Sequence, residues 1–315
     1  MSNVTLHAAG TCFPPIPLSN PVAPQKFSVG HIVQFDPDLT FEKYYDTYVK
    51  TTSTSEQNPN YNNCFQGIAS NGNNLAACGG RTRGWNNWVN NFLGQKQYST
   101  LLVCYNHATD GSGDLDSVKW WKTIELNGLA NIWQFVVMDN DSIYVATQNQ
   151  TTSLAPLNNP AFSRTQGGTA IAVIMKFAIS DGSVQWAKKF TLGNNVSTKG
   201  FSSLKLAGNV LYASFSVSNQ DGGLDYIKVD PSNGFVTNQT NIVTTSTMTS
   251  GTSTGQYNIQ TTDASGNNLA LVFNDSTADY SVTVANTTLD ATSLTTLVSN
   301  QAEIRANTNS TQRYD

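Results

Sequence analysis

Charge is scarce in this 315-residue chain: Asp, Glu, Lys and Arg together supply 12% of it, about half the usual share. The formal net charge is −4, and no Lys/Arg cluster occurs. A nucleic-acid-binding surface, which needs a basic stripe to release counterions, is therefore not expected. Nor does any stretch approach 18 consecutive apolar residues, so a transmembrane helix and membrane insertion are not expected either. The opening MSNVTLHAAGTCF lacks a basic n-region and a continuous apolar h-region, and reads as no secretory signal.

Catalytic residue types are equally thin. Histidine occurs at positions 7, 31 and 107 alone, and neither G-x-S-x-G nor H-E-x-x-H is present. The four Glu are Glu42, Glu56, Glu125 and Glu303. Hydrolase chemistry has no visible seat, and no catalytic residue is assigned. The four cysteines, Cys12, Cys64, Cys78 and Cys104, form no C-x-x-C zinc pattern.

What fills the chain instead is Asn, Ser, Thr and Gly between apolar runs, with 39% hydrophobic and 10% aromatic residues, enough for a substantial core. The apolar spacing is mostly two, and β-branched and aromatic residues dominate, which predicts an almost all-β protein. Two kinds of hairpin alternate. The first spans 64–80, 132–148, 201–216 and 257–273, each with an Asn/Gly/Asp turn between two strands. The second spans 31–45, 101–126, 173–192, 226–238 and 281–298. A repeating unit of two hairpins, hence four strands, predicts a β-propeller blade, since radial repetition removes most exposed edges.

The stretch VIMKFAISDGSVQWAKKF resembles the outer hairpin of quinoprotein-like and related bacterial β-propeller repeats. Lys176, Asp181, Gly182, Trp186 and Lys188 carry the resemblance, with an echo at Lys228, Asp230, Gly234 and Phe235. It implies a fold and no activity. Nothing matches a quinone-binding constellation, so no cofactor is carried over. The expected architecture is a single domain, 1–315, of five four-stranded blades, closed by pairing the strand at 3–9 with that at 301–307. An open array, or a two-sheet sandwich with a second domain, is the alternative. The Pro-rich arm 11–26 is expected to run extended outside the blades and to reach a neighbouring subunit. Residues 51–63 and 244–255 read as polar loops.

Several candidate sites stand out. Asp110, Ser112, Asp114 and Asp116 place oxygens at alternate positions in TDGSGDLDS, similar to the front half of a calcium loop, although Gly111 and Gly113 occupy spacer positions and no Glu follows at the twelfth. Ca²⁺ is thus the one metal considered, against a plain polar turn. Trp85, Trp88 and Phe92 in WNNWVNNF could stack on sugar rings, or plug the gap between blades. At Trp120–Trp121, strand alternation puts one ring in and one out. Cys64 and Cys78 flank one predicted turn symmetrically, and either bridge across it or remain two buried thiols. Sequons occur at Asn3, Asn149, Asn195, Asn238, Asn274, Asn286 and Asn309, no more than this Asn- and Ser/Thr-rich composition generates by chance.

Three functional classes follow. The first is a non-enzymatic structural or adhesive protein that self-associates, or joins an assembly partner, in an extracellular or virion surface. The others are a glycan-binding propeller and a glycoside-processing funnel enzyme.

Overall fold

The computed structural model describes residues 6–12, 29–36, 41–51, 61–63, 65–83, 98–127, 131–149, 170–193, 200–216, 224–262, 266 and 268–276. The chain divides into two units, Met1–Asp275 and Ser276–Asp315, and every described strand begins in the first. The described residues form strands, turns and bends without a helix, arranged as four antiparallel sheets. The first sheet runs in the order β1 (Leu6–Cys12), β2 (Val29–Phe35), β3 (Phe41–Thr51) and β18 (Leu269–Ser276). In the second, β6 (Asn74–Arg83), β7 (Tyr98–His107) and β8 (Leu115–Leu126) form the centre. The strands β4 (Tyr61–Asn63) and β5 (Gly67–Ser70) pair with β6, and β17 (Tyr257–Gln260) pairs with β8. The third sheet holds β9 (Asn131–Met138), β10 (Ser142–Asn149), β11 (Ala170–Ala178), β12 (Val184–Leu192) and β16 (Val243–Thr247). The fourth is β13 (Ser203–Ala207), β14 (Val210–Ser216) and β15 (Leu224–Val229).

The unbroken apolar runs are explained by burial on both faces. Along β7, Leu101, Val103 and Tyr105 pack toward the first sheet, while Leu102 and Cys104 pack toward the third. Along β10 and β11, Val145, Val173 and Met175 meet the second sheet, and Tyr144, Ala146, Ala172 and Ile174 meet the fourth. The sheets therefore stack face on face in chain order. Each fully buried Leu, Ile or Phe contributes about 1.5–3 kcal/mol, far more than a turn hydrogen bond, so packing between sheets dominates the stability of the stack. The same arrangement answers the Trp120–Trp121 expectation: Trp120 enters the core toward the third sheet and Trp121 packs on the side of the first, so neither ring is simply outward.

The turns follow residue chemistry closely. Asn71 Oδ1 accepts from Asn73 N and Asn74 N at 3.1 and 2.9 Å between β5 and β6. Between β9 and β10, Asp139 Oδ1 accepts from Asp141 N and Ser142 N at 2.9 and 2.7 Å. These matching turns lie 68 residues apart and touch, with Asn71 Nδ2 donating to the Asp139 carbonyl at 3.0 Å.

A second repeated contact joins the sheets at the same end of the hairpins, where Ile179 N donates to the Asp141 carbonyl at 2.8 Å. Trp120 Nε1 donates to the Ile179 carbonyl at 2.8 Å, and a Cβ on Gly182 would stand 2.7 Å from the Trp120 ring. One sheet further on, Trp186 Nε1 donates to the Pro231 carbonyl at 3.0 Å, and a Cβ on Gly234 would stand 2.8 Å from the Trp186 ring. Both glycines have positive φ, 70° and 78°. In each case the Trp of one sheet covers the glycine turn of the next, and a Lys two residues later, Lys122 or Lys188, crowds the same glycine. Thus Trp120-x-Lys122 repeats Trp186-x-Lys188, a copy that sequence reading missed because Trp121 disguised it.

Elsewhere the chain departs from expectation. The hairpin expected over 257–273 splits: β17 pairs with β8 and β18 joins the first sheet, leaving one bridge between Thr262 and Asn268. The apolar positions Leu269, Leu271 and Phe273 draw β18 onto the core between the first and second sheets. The first four residues of the expected polar loop 244–255 are strand, since β16 pairs with Leu192–Lys188. Its threonines are β-branched and suit a pleated edge, which polarity alone conceals. Likewise Thr51 ends β3, and Tyr61–Asn63 forms β4 within the stretch 51–63. Thr11 and Cys12, expected in the Pro-rich arm, complete the β1 ladder with β2, while 13–26 lies outside the described residues. The hairpin 281–298 and the strand 301–307, on which ring closure depends, also lie outside them.

Candidate functional site

A cluster of ionisable groups lies where the first sheet meets the β7–β8 turn. Gly111 and Gly113, both at φ 79°, let this turn fold back so that Ala108 N reaches the Asp114 carbonyl at 2.8 Å. Asp114 then faces β2 and β3. Its Oδ1 accepts from Gln34 Nε2 at 2.8 Å, and its Oδ2 accepts from Lys43 Nζ. The Gln34 side chain, buried, accepts in turn from Tyr45 OH at 2.7 Å, and Tyr45 OH accepts from Leu115 N at 3.0 Å. The result is a continuous relay of hydrogen bonds between sheets.

Two histidines flank it. His107 at the end of β7 uses both ring nitrogens, Nδ1 toward the Gly113 carbonyl at 3.0 Å and Nε2 toward Ser70 Oγ at 3.2 Å. His7, from β1, stands edge-on to it with ring centroids 5.4 Å apart. His7 Nε2 is buried without a hydrogen-bond partner. Burial, reinforced by repulsion from His107, lowers the His7 imidazole from 6.5 to about 4, so it is neutral at physiological pH. For Asp114, burial pushes the carboxyl up, but the hydrogen bonds from Lys43 and Gln34 more than offset that and hold it below its usual value. Deeper in the same junction, Thr47 Oγ1 and Tyr105 OH are 2.7 Å apart, and burial raises the Tyr105 phenol far above its ordinary value. On β2 and β3, His31 Nδ1 and Asp46 Oδ1 form a second pair at 2.6 Å.

The sequence candidates distribute unevenly over this geometry. Asp110, Ser112, Asp114 and Asp116 all lie in or beside the β7–β8 turn, linked through the backbone: Ser112 N donates to Asp110 Oδ1 at 2.9 Å and Asp114 N to Ser112 Oγ at 3.2 Å. Asp114 is engaged by Gln34 and Lys43, and among the described residues no group of three or more His, Cys, Asp or Glu could hold a metal ion. Cys78 is buried in β6, whereas Cys64 lies outside the described residues. The Cys104 thiol is buried and pushed up to about 11, which suppresses its nucleophilic thiolate. Trp85, Trp88 and Phe92 lie outside the described residues, as do Asn3, Asn195, Asn286 and Asn309. Asn149 ends β10 and Asn274 lies within β18. Asn238 is spent on its own hairpin, accepting from Lys228 N at 2.7 Å and donating to the Tyr226 carbonyl at 3.3 Å. One further sequon, Asn140-Asp141-Ser142, sits at the exposed tip of the β9–β10 turn and was readable in the sequence.

The polar cluster itself was not readable, because its members come from β1, β2, β3, β7 and a turn 71 to 80 residues further along the chain. No protein-family model and no curated protein matches this chain.

Proposed function

We propose that the protein is a non-enzymatic structural or adhesive component that contributes contact surface to an extracellular or virion assembly, built on a β-propeller whose blades are the stacked sheets. The Trp–glycine contact, which recurs between successive sheets in chain order, and the matching turns at Asn71 and Asp139, which touch between the second and third, support the propeller reading.

The observation that carries the assembly reading is the outer face of the fourth sheet. Leu224 is 70% exposed and Tyr226 48% exposed, and the Tyr212 ring lies 6.1 Å from that of Tyr226. Lys205 and Lys228 are the cross-strand neighbours of Tyr212, and Ser214, itself paired with Ser203, is that of Tyr226. An aromatic and aliphatic patch bordered by polar groups on a charge-poor protein suits a protein–protein contact. The engagement of Asp114 with Lys43 and Gln34, and of His107 with Gly113 and Ser70, favours an architectural role for the polar cluster over turnover. Sedimentation velocity across a concentration series tests the reading. The sedimentation coefficient should rise with concentration, and Leu224→Ser with Tyr226→Ser should suppress the rise. A single monomeric species at every concentration would overturn it.

A further inference from the structure

After β15 the chain reverses its course. Up to Val229 the four sheets follow one another in chain order, but β16 then joins the third sheet, β17 the second and β18 the first. Each added strand lies at a sheet edge: β16 outside β12, β17 outside β8 and β18 outside β3. Residues 239–276 are therefore a strap that runs back along the edges of three sheets. Its contacts close long stretches of chain, 59 residues from Lys188 Nζ to Thr247 Oγ1 and 137 from Thr123 Oγ1 to the Gln260 carbonyl. Loops of that size cost entropy that local hairpins do not, so the strap docks after the sheets it covers have formed.

The strap is held by backbone pairing and a few apolar anchors. At the two ends of β16, Gly193 N donates to the Ile242 carbonyl at 2.7 Å and Met248 N to the Ala187 carbonyl at 2.9 Å. Beyond β8, Asn127 Nδ2 donates to the Gly251 carbonyl at 2.7 Å. Val243, Met248 and Leu269 are buried, and each enters a different one of the three apolar clusters. The edges beneath need this cover, because β12 carries buried Phe190 and Leu192, β8 buried Ile124 and Leu126, and β3 buried Tyr45 and Val49. Bare, they would be three apolar strands with open backbone, ready to pair with another chain. Asp263 and Asp275 are the only charged residues of the strap, so it has no pattern of charge that would favour its own copy over another.

The link into the strap is short and faces outward. Between the fourth sheet and β16, Gln239 and Asn241 are exposed and Thr240 and Ile242 half-buried. We propose that the strap is exchanged between copies, so that in the assembled form residues 239–276 of one copy complete the third, second and first sheets of another. Exchanged and unexchanged forms use the same groups in the same registers, and the choice between them is set by the link and by subunit concentration rather than by contact energy. The proposal rests on the assembly reading and names the partner as a second copy of this chain, joined through three sheet edges that are distinct from the exposed face of the fourth sheet.

A cross-strand disulfide tests it on the full chain. Lys189 and Ser246 stand directly opposite each other on β12 and β16, one half-buried and the other exposed, so Lys189→Cys/Ser246→Cys joins the strap to whichever copy it covers. The variant is refolded over a concentration series, oxidised and separated by size under denaturing conditions without reductant, beside the parent chain as reference for the native cysteines. Exchange predicts a disulfide-linked dimer that rises severalfold when the refolding concentration is raised tenfold, and that Leu224→Ser/Tyr226→Ser leaves unchanged. The parent dimer, isolated by size exclusion, should persist for hours after tenfold dilution, since three strands must unpair before it separates. A strap linked to its own copy at every concentration, or a dimer that separates at once on dilution, would overturn the exchange while leaving association through the fourth sheet intact. A chain that stays monomeric throughout would overturn both.

Discussion

The two junctions on either side of the second sheet are built differently. Toward the third sheet, Cys104, Trp120, Ile124, Val145, Met175 and Phe177 form a dry core, closed by one indole donating to the Ile179 carbonyl over a glycine turn. Toward the first sheet, an apolar floor of Ile32, Leu75, Leu101 and Val103 is topped by the Asp114, Lys43, Gln34 and Tyr45 relay, with His7 and His107 beside it. The first kind of joint repeats toward the fourth sheet through Trp186 and Gly234. The contrast teaches that one stack can combine joints indifferent to pH with one whose members titrate.

The largest expected effect strikes the dry joint. Trp120 is 8% exposed, and Trp120→Ala should cost about 3–5 kcal/mol by leaving a cavity and an unpaired Ile179 carbonyl. Urea or thermal unfolding reads this directly, and a loss below about 1 kcal/mol would mean that the ring does not join the sheets.

How much of this contrast the sequence carried depends on the distance between partners. The hairpins β2–β3, β5–β6, β7–β8, β9–β10, β11–β12 and β13–β14 were legible because turn chemistry and alternation act locally. The Trp186-x-Lys188 pattern was legible too, and Trp120-x-Lys122 carries the same spacing. Strand exchange was not: β17 and β18 read as one hairpin because nothing local says that Tyr257–Gln260 would prefer β8 and Leu269–Ser276 the first sheet. The polar cluster was invisible for the same reason, as no motif joins His7, Gln34, Lys43, His107 and Asp114.

A smaller effect separates close approach from backbone strain. Gly182 and Gly72 both have positive φ, but a Cβ at Gly182 would meet Trp120 at 2.7 Å while one at Gly72 meets nothing within 4 Å. Gly72→Ala should cost about 1 kcal/mol, the strain alone. Gly182→Ala should cost about 1–3 kcal/mol more, because the indole must move. Equal losses in the two variants would show that the turn and the ring are not coupled.

The smallest effect, and the sharpest distinction between joints, is the response to acid. The folded His7 imidazole is depressed from 6.5 to about 4, so its contribution is intact above pH 6.5 and is lost as pH falls toward 4. Asp114, also held below its ordinary value, adds a loss at still lower pH as it protonates. Allowing for partial exposure of His7, the first sheet should lose on the order of 1–2 kcal/mol between pH 7 and pH 5. Native-state hydrogen exchange at these two pH values, corrected for intrinsic exchange rates, measures this strand by strand. The account predicts that amides of β1–β3 open more readily at pH 5, while those of β10–β12 keep their protection. Equal loss across both sets, or unchanged protection in β1–β3, would contradict it.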